Sequence, residues 1–270
     1  MGKINLQNLS LIVTNDCNLN CAHCMGGCKN STDMNKDVID TTLSQISSIH
    51  SLSICGGEPT LALESLNSIL EFIKNNDIKI DIFNTTINGT IYSNDFLNIF
   101  RELNEYVDTC LFYISSDIYH DNEVKRLNLK KKYVENLIKY RKSEFYYGVR
   151  KLNKNLKLFN EGNAKNLDSS LTVDIKPIKV YLTYIDSKNK FDKNGQCYIG
   201  PMITINPEGI ITEYEASTEH QNTIYNYGSV LEESIEENSL KRGRVLIPRK
   251  FDKATEKEMN RYNRIKTLIK

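Results

Sequence analysis

No apolar run in this sequence comes near the ~20 residues that a membrane-spanning helix needs. The N-terminus also lacks a charged segment followed by an apolar one. These absences argue against a helical membrane protein and a secretory signal, and make the cytoplasm the expected location. Charge of one sign is not in excess either: 35 Lys and Arg face 34 Asp and Glu, a formal net charge of +1. Low-complexity segments are lacking, and so are internal repeats beyond a βα period. What remains, 270 residues with 40% hydrophobic and 26% charged side chains, is enough for one large domain, alone or with an appendage.

Cysteine is sparse but clustered. Four of the seven lie in "CNLNCAHCMGGC", Cys17 to Cys28. An odd number crowded near one end does not form a secreted disulfide framework, and in a reducing compartment such clusters bind metal or do chemistry. The sequons at Asn30, Asn84 and Asn88 have no meaning as glycosylation sites there.

The first 150 residues alternate strand-like and helical runs. "LSLIVTND" reads as a strand, and "DVIDTTLSQISSI" puts Ile39, Leu43 and Ile46 on one helical face. "SLSIC" is a second strand, followed by a helix with the stripe Leu63, Leu66, Leu70 and Ile73. "IKIDIF" is a third, with Phe96, Phe100 and Leu103 on its helix, and "TCLFYIS" a fourth, followed by a helix from Glu123 to Arg141. "EFYYGV" and "LKLF" are candidates for strands five and six. Repeated βα units imply parallel strands, whose C-terminal ends build active sites in barrels. The cysteine run, "GGEP", "NGT" and "SSD" each follow a predicted strand.

Beyond about residue 170 the texture changes. "MITINPEGIITEY" reads as a hairpin with Pro207 and Gly209 in the turn. From Met202 to Leu240 there are eight Glu and no Lys or Arg; from Lys241 onward eleven Lys and Arg face three acids. The last twenty residues read as a basic amphipathic helix, solvated and packed on the domain, with nucleic-acid binding as the weaker alternative.

The cysteine spacing is C-x3-C-x2-C, then x3 to Cys28. A structural zinc site usually joins two separated pairs, so zinc on one loop is a strained reading. Ferredoxin-type runs use another first interval and end in proline, and no second cysteine set is present for an electron carrier. Three loop cysteines suit a [4Fe–4S] cluster whose fourth iron stays open to an exogenous ligand.

C-x3-C-x2-C after the first strand, with "GGEP" after the second, resembles the radical S-adenosylmethionine superfamily. The resemblance implies that Cys17, Cys21 and Cys24 hold a [4Fe–4S] cluster and that S-adenosylmethionine chelates its open iron. Reduction would then release a 5′-deoxyadenosyl radical that abstracts hydrogen from a substrate. Cys28 stays an unligated thiol, since a fourth ligand would close the site. Gly56, Gly57, Glu58 and Pro59 become cofactor-binding candidates, the glycines by letting backbone approach and Glu58 by accepting from the cofactor ammonium. "NGT" is similar to the family's "TNG" turn, giving Asn88 a polar contact to the cofactor. "ISSDIYHD" resembles an S-x-D strand end. Ser115 would face the ribose or carboxylate, Asp117 the loop or substrate, and Arg126 the cofactor carboxylate. His120 reads as a loop histidine rather than an acid–base group.

"FNEGNAKNL" is similar to an E-G-R-A segment of SPASM-type relatives, with Asn163 where arginine is usual. The following "GQCYIGPMITINPEGIITEYEAST" looks like that branch's C-terminal hairpin and helix. Relatives hold an auxiliary cluster there. This chain keeps only Cys197, with Glu or Tyr of "EYEA" at a position where cysteine is common, which implies a metal-free remnant capping the barrel. Cys55 and Cys110 read as buried small hydrophobes within strands. The resemblance covers residues 9 to 126 most fully, fades by about 170 and is traceable to about 235.

The expected fold is α/β, a partial (β/α)6 TIM-like barrel with a small α+β C-terminal extension. Its expected divisions are 1–170 for the core, 171–240 for the remnant and 241–270 for the basic helix. The expected activity is hydrogen abstraction from a peptide or protein substrate, with an electron donor of flavodoxin or ferredoxin type and no separate domain for a leader peptide. A small-molecule or nucleoside substrate, a non-catalytic iron–sulfur protein and a zinc-bound interaction module are the alternatives. No membrane partner is expected.

Overall fold

The computed structural model describes residues 3–27, 29–152, 157–188 and 190–246. Cys28 and the segment 247–270, which contains most of the basic helix expected over 241–270, lie outside the described residues; within the described part, Arg244–Val245 is a strand rather than helix. The first half runs β1 (Ile4–Thr14), α1 (Lys36–Ser44), β2 (Ile46–Gly56), α2 (Leu63–Asn75), β3 (Lys79–Ile87), α3 (Asn94–Leu103), β4 (Thr109–Ser115), α4 (Ile118–Arg126), α5 (Lys130–Tyr140) and β5 (Tyr146–Arg150). The five strands are parallel and adjacent in chain order, as repeated strand–helix units require. Their C-terminal ends therefore share one rim of the sheet.

Alternation along the strands separates two faces. Leu9, Leu52 and Phe83 lie in register and are fully buried. Phe83 joins Phe96, Phe100, Phe112 and Tyr140 in a cluster of edge-to-face and tilted rings. The opposite face carries small polar side chains in register, Ser10, Ser53 and Asn84. The Ser53 hydroxyl donates to Asn84 Oδ1 at 3.1 Å. One face is thus packed with apolar side chains, while the other keeps polar groups, Ser10 buried and Ser53 and Asn84 half-buried.

The second half continues with β6 (Leu158–Phe159), β7 (Thr172–Val173), β8 (Tyr181–Ile185), β9 (Gln196–Gly200), β10 (Ile203–Ile205), β11 (Ile211–Thr212), α6 (Thr218–Gln221), α7 (Ile235–Arg242) and β12 (Arg244–Val245). β9 and β10 follow one another along the β1 edge, pairing in parallel with Asn5–Leu6 and Leu9–Leu11. Between them stands Pro201, which has no N–H to give a ladder. β1 is accordingly central, and nine of its eleven residues are buried, the near-continuous apolar pattern of an interior strand. The sheet is mixed and open, in the order β12-β8-β9-β1-β2-β3-β4-β5. It is the expected partial barrel with a C-terminal extension, not a closed one. No helix among the described residues is long and apolar enough to cross a membrane.

Some element expectations need correction. The helix expected through Ile46 stops at Ser44, and Ile46 opens β2. The helix expected from Glu123 to Arg141 is two helices, broken at Asn128, whose φ of 55° is left-handed. Asn is among the few non-glycine residues that visit this region readily. "LKLF" supplies β6, which pairs only with β7 in a separate two-stranded sheet. The hairpin stands as read: β10 and β11 are antiparallel, and Asn206 Oδ1 accepts from the N–H groups of Glu208 and Ile210 around Gly209.

Candidate active site

The loop leaving β1 carries Cys17, Cys21 and Cys24, all half-buried free thiols. Burial pushes the Cys17 thiol up to about 11, against the Leu19 N–H that approaches its sulfur at 3.5 Å. The Cys21 thiol is pushed up to about 12, by burial and then by the nearness of Cys17 and Cys24. The three are thus close enough to act on one another. No three His, Cys, Asp or Glu side chains among the described residues gather tightly enough for a single metal ion. A cubane is bound differently, each thiolate on its own iron. Three mutually near, unpaired thiols on one loop fit that group.

Beside them is a cavity of about 200 Å³ at the strand-end rim, lined by Cys17 and Cys24 together with Gly56 and Gly57. The glycines are there for a steric reason. A Cβ on Gly57 would stand 1.9 Å from the Asp16 carbonyl oxygen, and one on Gly56 2.3 Å from that of Thr14. Gly57 N–H donates to Thr14 O at 2.8 Å and Glu58 N–H to Asp16 O at 2.7 Å. The β1–β2 contact thereby continues past the strand ends and fixes the start of the cysteine loop.

Glu58 is 1% exposed. Its Oε1 accepts from the N–H and hydroxyl of Thr60, and its Oε2 from Asn88 N–H at 2.7 Å. Burial raises its carboxyl to about 6 against those donors. The expected ammonium acceptor is a buried strut between the strand ends, with its carboxylate engaged by protein donors. Pro59, also buried, opens a 3-10 turn at Pro59–Leu61.

Asn88 is buried just after β3, its Nδ2 at 2.8 Å from Asn18 Oδ1 and 3.9 Å from Cys17 Sγ. Ser115 ends β4, and its carbonyl accepts from Tyr133 Oη at 2.8 Å. Asp117 caps α4 through the N–H groups of Tyr119 and His120. Arg126 does not line the cavity. Its guanidinium donates twice to the Glu123 carboxylate, at 2.7 and 2.8 Å, and holds that carboxyl below its usual range. Glu123 in turn accepts from Asn20 N–H at 3.0 Å. Arg126 acts on the cysteine loop through Glu123. His120 is 2% exposed and is a packing residue, with Nε2 2.9 Å from the Asn88 carbonyl.

Several site residues carry no sequence signal of their own. His23, between two of the cysteines, stacks on Tyr119 with ring centroids 5.1 Å apart. Its Nε2 lies 3.5 Å from Asp117 Oδ2, and burial lowers its pKa. Lys29 lines the cavity and donates to Cys17 O at 2.6 Å. Cys55, expected as a buried apolar filler, is half-buried and lines the cavity, with its sulfur 3.1 Å from Ser10 Oγ; Cys110 is buried as expected.

Asn163 bears on the loop directly. Its N–H donates to Cys24 O at 2.8 Å, and its carboxamide to Asn20 Oδ1 at 2.8 Å and Cys21 O at 3.1 Å. The neighbouring Gly162 has φ +50° and lies so close that a Cβ would meet Met25 O at 2.3 Å. Glu161 reaches the other way, accepting from Ser217 N–H at 3.0 Å, with His220 Nδ1 2.8 Å from its Oε2. Tyr214, Glu215 and Ala216 of "EYEA" line the same cavity as Cys17 and Cys24, with Thr218 and Gln221. Both N–H and hydroxyl of Thr218 donate to Gly26 O. The C-terminal region therefore caps the site.

Residues 8–138 match the family described as a 4Fe-4S single cluster domain. That segment carries the three cysteines, "GGEP", Asn88, Ser115 and Arg126, so the part of the chain with the cluster motif is similar to such domains, as the motif resemblance implied. A stretch of 75 residues is 36% identical to an uncharacterized protein of Methanocaldococcus jannaschii and covers 26% of each chain. The match thus spans about a quarter of that relative. Among solved structures the chain is similar to anSMEcpe with bound AdoMet, at 16% identity and TM-score 0.46 over 88% of this chain and 83% of that one. It is also similar to Streptococcus suis SuiB bound to the precursor peptide SuiA, at 11% identity and TM-score 0.40, over 86% and 64%.

Proposed function

We propose that this chain is a radical S-adenosylmethionine enzyme that abstracts hydrogen from a peptide or protein substrate. The observation that carries the reading is the docking of Gly56 and Gly57 onto Thr14 and Asp16. It sets backbone free of side chains in the lining of the same cavity as Cys17 and Cys24. Cys17, Cys21 and Cys24 would hold the [4Fe–4S] cluster, and the glycine backbone would lie against S-adenosylmethionine. Bound together and reduced, the two cofactors supply one-electron chemistry for breaking a substrate C–H bond.

The chain's own residues position and enclose. Lys29 and Asn163 hold main-chain carbonyls of the cysteine loop. Glu123 and Arg126 brace it from α4, while Tyr214, Glu215 and Thr218 contribute to the cavity wall. The peptide substrate is the finer part of the reading and rests on the likeness of the C-terminal hairpin to peptide-modifying branches. A one-electron donor of flavodoxin or ferredoxin type would feed the cluster.

EPR of the anaerobically purified, dithionite-reduced chain, with and without S-adenosylmethionine, tests the reading. A cluster signal that changes on addition supports it. An unresponsive cluster signal turns it into a non-catalytic iron–sulfur protein, and a colourless protein with stoichiometric zinc ends it. Each of Cys17→Ala, Cys21→Ala and Cys24→Ala should abolish cluster assembly, while Cys28→Ala should leave iron content near wild type.

A further inference from the structure

Three strand-end motifs meet at one residue, Asn88. The main chain of Asn88 is gripped on both sides: its N–H donates to Glu58 Oε2 at 2.7 Å, and its carbonyl faces His120 Nε2 at 2.9 Å. A carbonyl can only accept, so the buried imidazole carries its proton on Nε2. The side-chain oxygen of Asn88 accepts from Thr90 N–H at 2.9 Å and from the Thr90 hydroxyl at 2.7 Å. A backbone N–H can only donate, so the orientation of the amide is fixed, with its nitrogen on the other side. That nitrogen has two hydrogens. Asn18 Oδ1 takes one at 2.8 Å, and the sulfur of Cys17 faces the nitrogen at 3.9 Å. Leu19 N–H approaches the same sulfur at 3.5 Å.

We propose that Asn88 is a positioning residue for the cluster, its side-chain N–H donating to the Cys17 sulfur and raising the cluster's reduction potential. Reduction adds negative charge that spreads onto the sulfur ligands. A donor aimed at a ligand sulfur stabilises the reduced form more than the oxidised one. Glu58 and His120 serve the same end by holding the Asn88 backbone. The inference rests on the cluster assigned above to Cys17, Cys21 and Cys24.

The test is anaerobic redox titration of the reconstituted full chain, followed by EPR and without S-adenosylmethionine. Asn88→Ala should bind wild-type iron and titrate at a more negative potential. Asn88→Asp keeps the volume and the acceptor for Thr90 while removing both N–H groups, and should shift the same way. An unchanged potential in either variant overturns the proposal. Pulsed EPR of the wild-type reduced cluster, in protein labelled with 15N at asparagine side-chain amides, needs no variant. It should show a weak nitrogen coupling, and its absence overturns the proposal too. A wild-type chain that takes up no cluster fails at the cluster assignment itself, a result distinct from an unshifted potential.

Discussion

Gly57 sits where one methyl group would collide with the chain that leads into the cysteine loop, 1.9 Å from the Asp16 carbonyl oxygen. Gly57→Ala is therefore expected to lower the unfolding free energy by about 1–3 kcal/mol, the usual cost of forcing atoms into a filled site. Urea titration of the apo chain reads this as a lower midpoint. Glu58 makes a pH prediction. Its carboxyl is raised to about 6, so the folded chain holds this proton more tightly than the unfolded chain, where Glu titrates near ~4.3. Its stability contribution is complete below the unfolded value and is lost as pH rises through the folded one. The unfolding free energy of wild type, less that of Glu58→Gln, should fall by roughly 2 kcal/mol between about pH 4 and pH 7. A flat difference would contradict the raised value. At this scale "GGEP" was legible as a motif, but its parts were not. Sequence suggested a carboxylate turned toward a ligand, whereas Glu58 is engaged by Thr60 and Asn88, and the close approach of both glycines to the Thr14 and Asp16 carbonyls carries no sequence signal. Such contacts come from residues far along the chain, which local pattern does not encode.

The cysteine loop behaves as an element held from outside, by Glu123, Asn163 and Thr218. Asn163→Ala removes two side-chain hydrogen bonds to the loop, each worth about 1 kcal/mol. Faster loss of iron to a chelator from the loaded protein, with little change in overall unfolding, is the expected outcome. Unchanged iron release would show that the carboxamide does not restrain the loop. The place of this segment was readable from "FNEGNAKNL", yet what Asn163 does in place of arginine was not: a short amide takes the Asn20 side-chain oxygen and the Cys21 carbonyl at close range. The break at Asn128 was also hidden. Apolar Leu127 and Leu129 on either side continue the helical texture, and the left-handed turn is visible only in the backbone.

Across the whole molecule, the polar clasp of Glu161 with Ser217 and His220 ties the cap to the segment that also holds the cysteine loop. Glu161→Ala leaves the Ser217 N–H without its carboxylate acceptor and the His220 ring without its partner, a loss of about 1–3 kcal/mol. Hydrogen exchange should then quicken together in residues 214–221 and 24–27, while Glu161→Gln, which keeps one acceptor oxygen, should have a smaller effect. Quickening confined to the cap would show that the two regions open independently. The order of strands and the rim carrying the motifs were legible because parallel βα repeats leave few topologies. The pairing of β9 and β10 with β1 was not, since it joins segments far apart in the chain, such as Asn5 with Tyr198 and Leu9 with Ile203.

That separation has a consequence in time. Gly26 waits for Thr218, 192 residues later, and Cys21 for Asn163, 142 residues later. During synthesis the three thiols leave the ribosome well before the groups that enclose them, and such long-range closures come late in folding. The nascent chain therefore passes through a stage at which its ligand loop is already outside the ribosome and still unroofed. That stage would be the natural opening for delivery of iron and sulfide to the proposed cluster, and also the one at which oxygen reaches the thiols most easily.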